Sequence, residues 1–259
     1  MEINFKNNEF NKILIITDIH HVNHNWGDAT LEERMTHLVE NVNKQYEKDP
    51  FDMILCLGDY SLDHWQWGEG GSYLHNPPLS NTDLFMKNIY PKFPTKTFII
   101  PGNHEQYGNE KWKEITGFDR QYSLVYGDNV FLMLDTFGGD LDPTENRDGT
   151  YTGVDTDLLK KALADHPDKK IFLCMHDLYP THESEEIKQL IRENDRIICA
   201  FTGHIHKSNT LILGNEWRNF PVFYCGDYSY SADPLKPCNW GFRTLDLNDG
   251  FSTDYINGK

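Results

Sequence analysis

Positive charge is scarce in this chain: its 259 residues include 24 Lys and Arg against 40 Asp and Glu, a formal net charge of −16 with histidine neutral. No basic stripe of the kind that neutralises a nucleic-acid backbone is present, so DNA and RNA are not expected partners. Cysteine is equally sparse. Cys56, Cys174, Cys199, Cys225 and Cys238 show neither a Cys-x-x-Cys pair nor a framework spacing, which excludes a disulfide-built fold. The first three lie in apolar runs, where a thiol behaves as a small hydrophobe, and the set reads as reduced core residues of a cytoplasmic protein. No apolar run approaches the ~18 residues of a membrane span. The polar N-terminus MEINFKNNEFNK lacks the apolar centre of a signal peptide, so a membrane is not an expected partner either. Pro/Ser-rich linkers and internal repeats are also missing, and the expectation is a single domain over residues 1–259. A chain of that length buries roughly 75% of its unfolded surface without covalent staples.

What the chain does have is short apolar runs at regular intervals. Ile13–Thr17, Asp52–Leu57, Lys96–Ile100, Val130–Asp135, Ile171–Met175 and Ile197–Thr202 are predicted strands buried on both faces. Thr30-Leu31-Glu32-Glu33 reads as a capping box opening a helix to about Lys48, with Leu31, Met35, Leu38 and Val42 on its buried face. Helices are also predicted over Val154–Asp165 and Glu183–Glu193. Strands alternating with helices define an α/β fold. After residue 196 the pattern changes to consecutive β segments, Thr210–Leu213, Val222–Cys225, Phe242–Leu247 and Phe251–Ile256, which predict a second sheet. Two irregular stretches, 60–81 with Trp65, Trp67 and Tyr73, and 137–153, rich in Gly, Asp and Thr, are candidate substrate loops. The aromatic group reads first as packing for its own loop and second as a stacking surface for a base.

The strands end in chemistry. The run Thr97-Phe98-Ile99-Ile100 breaks into Pro101-Gly102-Asn103-His104-Glu105. Turn formation explains Pro101 and Gly102 but does not require His104. The other strands end in Asp18-Ile19-His20, Gly58-Asp59, Met175-His176 and Gly203-His204-Ile205-His206. Each alone has a plain explanation as a turn or a structural histidine. Five in order, each where open α/β sheets place ligands, point instead to one site. Carboxylate, imidazole and amide oxygen suit divalent transition metals. If the backbone stays extended, residues i and i+2 face the same way, and Asp-x-His and His-x-His each offer two ligands to one centre. His21, His24, His37, His64, His75, His166 and His182 have no such context and are expected on the surface or in loops.

This ordered set resembles the calcineurin-like metallophosphoesterase superfamily, over residues 18–206. The resemblance implies a four-layer α/β sandwich of two mixed β-sheets flanked by α-helices. It implies two transition-metal ions, Mn, Fe or Zn, with Asp18, His20 and His206 on one, Asn103, His176 and His204 on the other, and Asp59 bridging them. A metal-bridging hydroxide would attack a small phosphomonoester or phosphodiester, nucleotide-like esters included, while His104 acts as general acid. Two cations near His104 oppose its protonation, so it needs a carboxylate neighbour, for which Asp18 is a candidate. Glu105 would orient its neighbours rather than bind metal.

The departures narrow the class. The segment from Gly58 to His64 and Pro101 lack the arginines of protein serine/threonine phosphatases, and Leu62 stands where purple acid phosphatases place a metal-bound tyrosine. Neither a phosphoprotein substrate nor a coloured iron–tyrosinate centre is expected. Glu105 and Asp177 leave the subfamily open, and a non-catalytic metal-binding scaffold of the same fold, or a nuclease, are the alternatives.

Overall fold

A computed structural model describes residues 1–6, 9–26, 29–62, 66–67, 71–72, 80–139, 141, 149–228 and 240–258. Trp65, Tyr73, Cys238, the side chain of Trp67, and most of 60–81 and 142–148 lie outside the described residues. In chain order the elements are β1 (Glu2–Phe5), β2 (Lys12–Ile16), α1 (Leu31–Lys48), β3 (Met53–Leu57), β4 (Gln66–Trp67), β5 (Gly71–Ser72), α2 (Asn81–Asn88) and β6 (Thr97–Ile100). There follow α3 (Asn109–Thr116), β7 (Tyr122–Tyr126), β8 (Asn129–Leu134), α4 (Thr156–Asp165), β9 (Lys170–Met175), α5 (Glu185–Glu193), β10 (Ile197–Thr202), β11 (Thr210–Ile212), β12 (Pro221–Tyr224), β13 (Gly241–Asp246) and β14 (Ser252–Asn257).

Two mixed sheets result. One has seven strands in the order β1-β7-β8-β9-β10-β12-β11, the other five in the order β14-β13-β2-β3-β6. The apolar runs account for the centre of each: β8, β9, β10 and β12 are mutually parallel, as are β2, β3 and β6. Side-chain alternation along a strand then assigns the layers. Phe131, Met133, Phe172, Cys174 and Phe201 join Ile13–Ile16 and Met53–Leu57 in the core shared by the sheets. Val130, Leu132, Ile171 and Leu173 instead join Leu159 and Ala162 of α4 and Ile187 and Ile191 of α5. Helix α1 adds Met35, Leu38 and Val42 to the first core. Its predicted capping box is present: Glu33 N donates to Thr30 Oγ1 at 3.2 Å and Thr30 N to Glu33 Oε2 at 2.8 Å. Cys56, Cys174, Cys199 and Cys225 are buried free thiols.

The predicted second sheet exists, but the C-terminal β run does not build it alone. β11 and β12 extend the seven-stranded sheet beside β10, whereas β13 pairs antiparallel with β2, more than two hundred residues earlier. No local signal specifies such a partner. β1, β7, α2 and α3, which the sequence reading did not single out, fill in the remaining edges and connections.

Candidate metal centre

The topology brings the carboxyl ends of β2, β3 and β6 in one sheet and of β9 and β10 in the other to a common edge. Thr17-Asp18 follows β2, Gly58-Asp59 follows β3, Asn103-His104 follows β6, His176 follows β9, and His204 and His206 follow β10. Close backbone contact makes this possible. A Cβ on Gly58, whose φ is +90°, would lie 2.5 Å from Gly102 Cα, and one on Gly102 would lie 2.1 Å from Asp59 Oδ1. Only glycines let these two loops interlock.

The expected extended conformation of the Asp-x-His and His-x-His motifs is not what the structure has. Asp18, His20, Asp59, His204 and His206 all adopt left-handed φ, between 51° and 61°. Asp18 and His20 still converge, but His204 and His206 part company. Asp18, His20 and His206 form one group whose ligand atoms lie within 4.8 Å of one another; Asp59, His176 and His204 form a second. The His-x-His pair therefore spans both groups, the division that the family resemblance implies, instead of serving one centre as the extended spacing suggests. Asp59 Oδ2 lies 3.1 Å from His176 Nε2 and 3.7 Å from His20 Nε2, so it stands between them. Asn103 Oδ1 lies 3.0 Å from both His176 Nε2 and His204 Nδ1. All seven predicted ligand positions thus gather at one place. His104 sits beside them with its Nε2 3.7 Å from Asp59 Oδ2, so among the described residues a carboxylate neighbour is Asp59 rather than the candidate Asp18.

The surrounding hydrogen bonds fix these side chains. His176 Nδ1 donates to Leu57 O at 2.8 Å, which fixes the ring with its Nε2 facing the site. Thr17 Oγ1 and His204 N donate to Asp18 Oδ2 at 2.7 and 2.9 Å. Glu105, fully buried, accepts from Gly102 N, Asp59 N and Ser61 N at 2.7–2.9 Å and so orients the loop that carries Asp59. Burial and the charge of Asp59 push its carboxyl up to about 8, against the donors Gly102 and Ser61.

The donor set is suited to a cation. His176 Nε2 lies 3.0 Å from Asn103 Oδ1 and 3.1 Å from Asp59 Oδ2, an arrangement that a proton on the imidazole or a metal ion would satisfy. Burial disfavours the charged form of His176, but Asp59 and Asp18 push it up to about 10. Burial, followed for His204 by the charge of His176, pushes His20 and His204 down to about 4, leaving neutral imidazoles ready to ligate. Burial opposes ionisation of Asp59 too, yet His176 and His104 hold its carboxyl well below the ordinary range.

A cavity of about 440 Å³ opens over these groups, lined also by Leu62, Phe137, Gly149, Tyr151 and Tyr179. Tyr179 was not read from the sequence: its hydroxyl lies 2.8 Å from His204 Nε2. Its one available signal was its place three residues beyond His176. Phe137 and Tyr151 fall within the predicted loop 137–153. Phe137 packs its ring 5.5 Å from His204 and 5.8 Å from His176. Two further histidines have partners that the sequence did not reveal. His21 lies in the loop after β2 but is only 5% exposed, because its backbone continues the contact between the loops after β2 and β3. His37 packs against Trp240 at 4.3 Å and meets Tyr228 Oη at 2.8 Å.

The family model described as calcineurin-like phosphoesterase matches residues 11–208. The chain belongs to that family. No curated protein is significantly similar to it. Solved structures that share the fold include a protein described as GAP50, the anchor in the inner membrane complex of Plasmodium, at 14% identity and a TM-score of 0.56, covering 96% of this chain and 84% of that one. Another is the purple acid phosphatase PPD1 from yellow lupin (Lupinus luteus) seeds, at 14% identity and a TM-score of 0.57, covering 96% of this chain and 52% of that one. The chain spans about half the length of the lupin protein. No described helix is long and apolar enough to cross a membrane.

Proposed function

We propose that this chain is a dinuclear metal-dependent phosphoesterase that hydrolyses small phosphomonoesters or phosphodiesters, nucleotide-like esters included. The observation that carries the reading is the convergence of two groups of possible ligands on one carboxylate, Asp59, which lies 3.1 Å from His176 Nε2 and 3.7 Å from His20 Nε2. Two ions of the Mn, Fe or Zn type would lower the pKa of bound water and neutralise charge on the phosphoryl oxygens. Asp18, His20 and His206 would hold one ion and Asn103, His176 and His204 the other. The neutral amide of Asn103 limits the negative charge of the set. His104 lines the cavity, 3.7 Å from Asp59 Oδ2, where it can hand a proton to the departing oxygen. The cavity volume suits a small ester rather than a protein surface.

The proposal takes residues 1–259 as one domain. In support, β13 and β14 lie beyond the family match yet complete the sheet that carries Asp18 and Asp59. It also places the protein in the cytoplasm, where its buried free thiols would stay reduced.

The test is hydrolysis of an aryl phosphate and a bis-aryl phosphate by purified protein with Mn²⁺. Asp59→Ala and His104→Ala are expected to remove most of the activity, the His104 change about 10²-fold or more. Metal-free protein without turnover would support a scaffold instead, and unchanged rates in both variants would overturn the assignment.

A further inference from the structure

Two of the strand-end loops at the site are held from outside by arginines with almost no contact with solvent. Arg34, on α1, is 0% exposed and Arg120, before β7, is 4% exposed. Arg34 Nη1 donates to His20 O at 3.1 Å, and Nη2 to Val22 O and His24 O at 2.9 and 3.1 Å. Its guanidinium lies 4.5 Å from the centroid of Trp26, whose ring packs 5.6 Å from that of His20. On the other side of the site, Arg120 Nη1 donates to Glu105 O and Tyr107 O at 2.9 and 2.5 Å, and Nε to Asp135 Oδ2 at 2.6 Å. One guanidinium thus grips the loop carrying His20, and the other the loop carrying Asn103 and His104.

Chain geometry makes such grips necessary. Loops that leave the sheet turn their carbonyls out of the ladder, left-handed φ at Asp18 and His20 adding to this in the first of the two, and each buried carbonyl needs a donor. A guanidinium supplies five donors in a rigid plane and can serve several carbonyls at once; an ammonium offers three from a single point.

We infer that Arg34 and Arg120 are positioning residues, each fixing through loop carbonyls the ligand geometry of a different one of the two metal groups. Arg34 acts on the group containing His20, and Arg120 on the group completed by Asn103. The inference rests on the dinuclear reading above.

The experiment measures Mn²⁺ binding by equilibrium dialysis and the Mn²⁺ EPR spectrum of the full-length protein, with far-UV circular dichroism confirming the fold. Wild type should bind two ions and give an exchange-coupled spectrum. Arg34→Lys and Arg120→Lys, which keep the charge, should each retain one tight ion with a six-line mononuclear spectrum, the second site being weakened about 10–100-fold. The double variant should lose tight binding at both. Should either lysine variant fail to fold, Trp26→Phe and Asp135→Asn loosen the same arginines without removing them and should shift one site in the same direction. Folded variants that bind both ions within about threefold of wild type, or a double variant no weaker than a single one, would overturn the inference. A wild type that binds fewer than two ions would instead overturn the dinuclear reading.

Discussion

Five of the seven candidate ligands hold φ values that L-residues seldom adopt. Each such residue costs on the order of 1 kcal/mol or more. Asp and His are among the side chains that tolerate this region best. The conformation persists because the backbone on either side is tied down: Asp18 N donates to Gly58 O, His20 N to Asp59 O, and Gly203 N to His176 O. Side chains as well as backbone hold the set. Removing the Tyr179 hydroxyl takes away the partner of His204 Nε2. Tyr179→Phe should therefore weaken one of two Mn²⁺ ions about 10–100-fold in dialysis, with little change in thermal midpoint.

His21 gives a pH prediction at the same scale. Burial, reinforced by the neighbouring charge of Arg34, pushes it down to about 4. The unfolded chain takes up a proton near the ordinary histidine value while the folded chain does not, so stability is lost as pH falls between those limits. Urea unfolding at pH 7 and pH 5 should show wild type losing about 2 kcal/mol more than His21→Leu. The five strand-end motifs were legible in sequence because each pairs a local apolar run with a polar terminus. His21 was not, because its burial depends on the loops after β2 and β3 meeting side by side.

At the scale of elements, the site depends on how closely strand ends approach. Gly102→Ala would drive a methyl group into Asp59. Activity should fall about 10²-fold, the usual effect of displacing a reacting group by about 1 Å. Gly108→Ala, where a Cβ meets nothing within 4 Å, serves as the control. The kinetics with Mn²⁺ of the two variants check this directly. Arg243, also buried, repeats the arginine device one loop further on, donating to Ser208 O and Tyr224 O at 2.6 and 2.9 Å just beyond His206. Helix α1 was read correctly down to its capping box because its signals lie three to four residues apart. Strands β11 to β14 were recognised as strands, but their assignment to two different sheets was not, since the partner edges lie far away in the chain.

For the molecule as a whole, two outcomes follow. A chain ending at residue 208, where the family match stops, would lack β13 and leave β2 without one of its neighbours. It should show no cooperative thermal transition by circular dichroism, whereas two independent units would let it melt as a folded piece. Chelation should lower the melting temperature and Mn²⁺ restore it, because a ligand bound only by the folded state stabilises it by about 2.7 kcal/mol at a hundred times its Kd. Calorimetry with and without Mn²⁺ tests that.

The sequence by itself determined which side chains are candidate ligands and their places at strand ends. Apolar runs bury themselves as strands whatever their partners, and the polar residues that follow inherit the sheet's edge. Only the tertiary structure decided that His204 and His206 diverge on left-handed turns rather than along an extended strand, that Asp59 faces His104, and that Tyr179, Arg34 and Arg120 stand behind the candidate ligands. Those relations depend on left-handed backbone turns and on hydrogen bonds between segments remote in the chain, which no local pattern encodes.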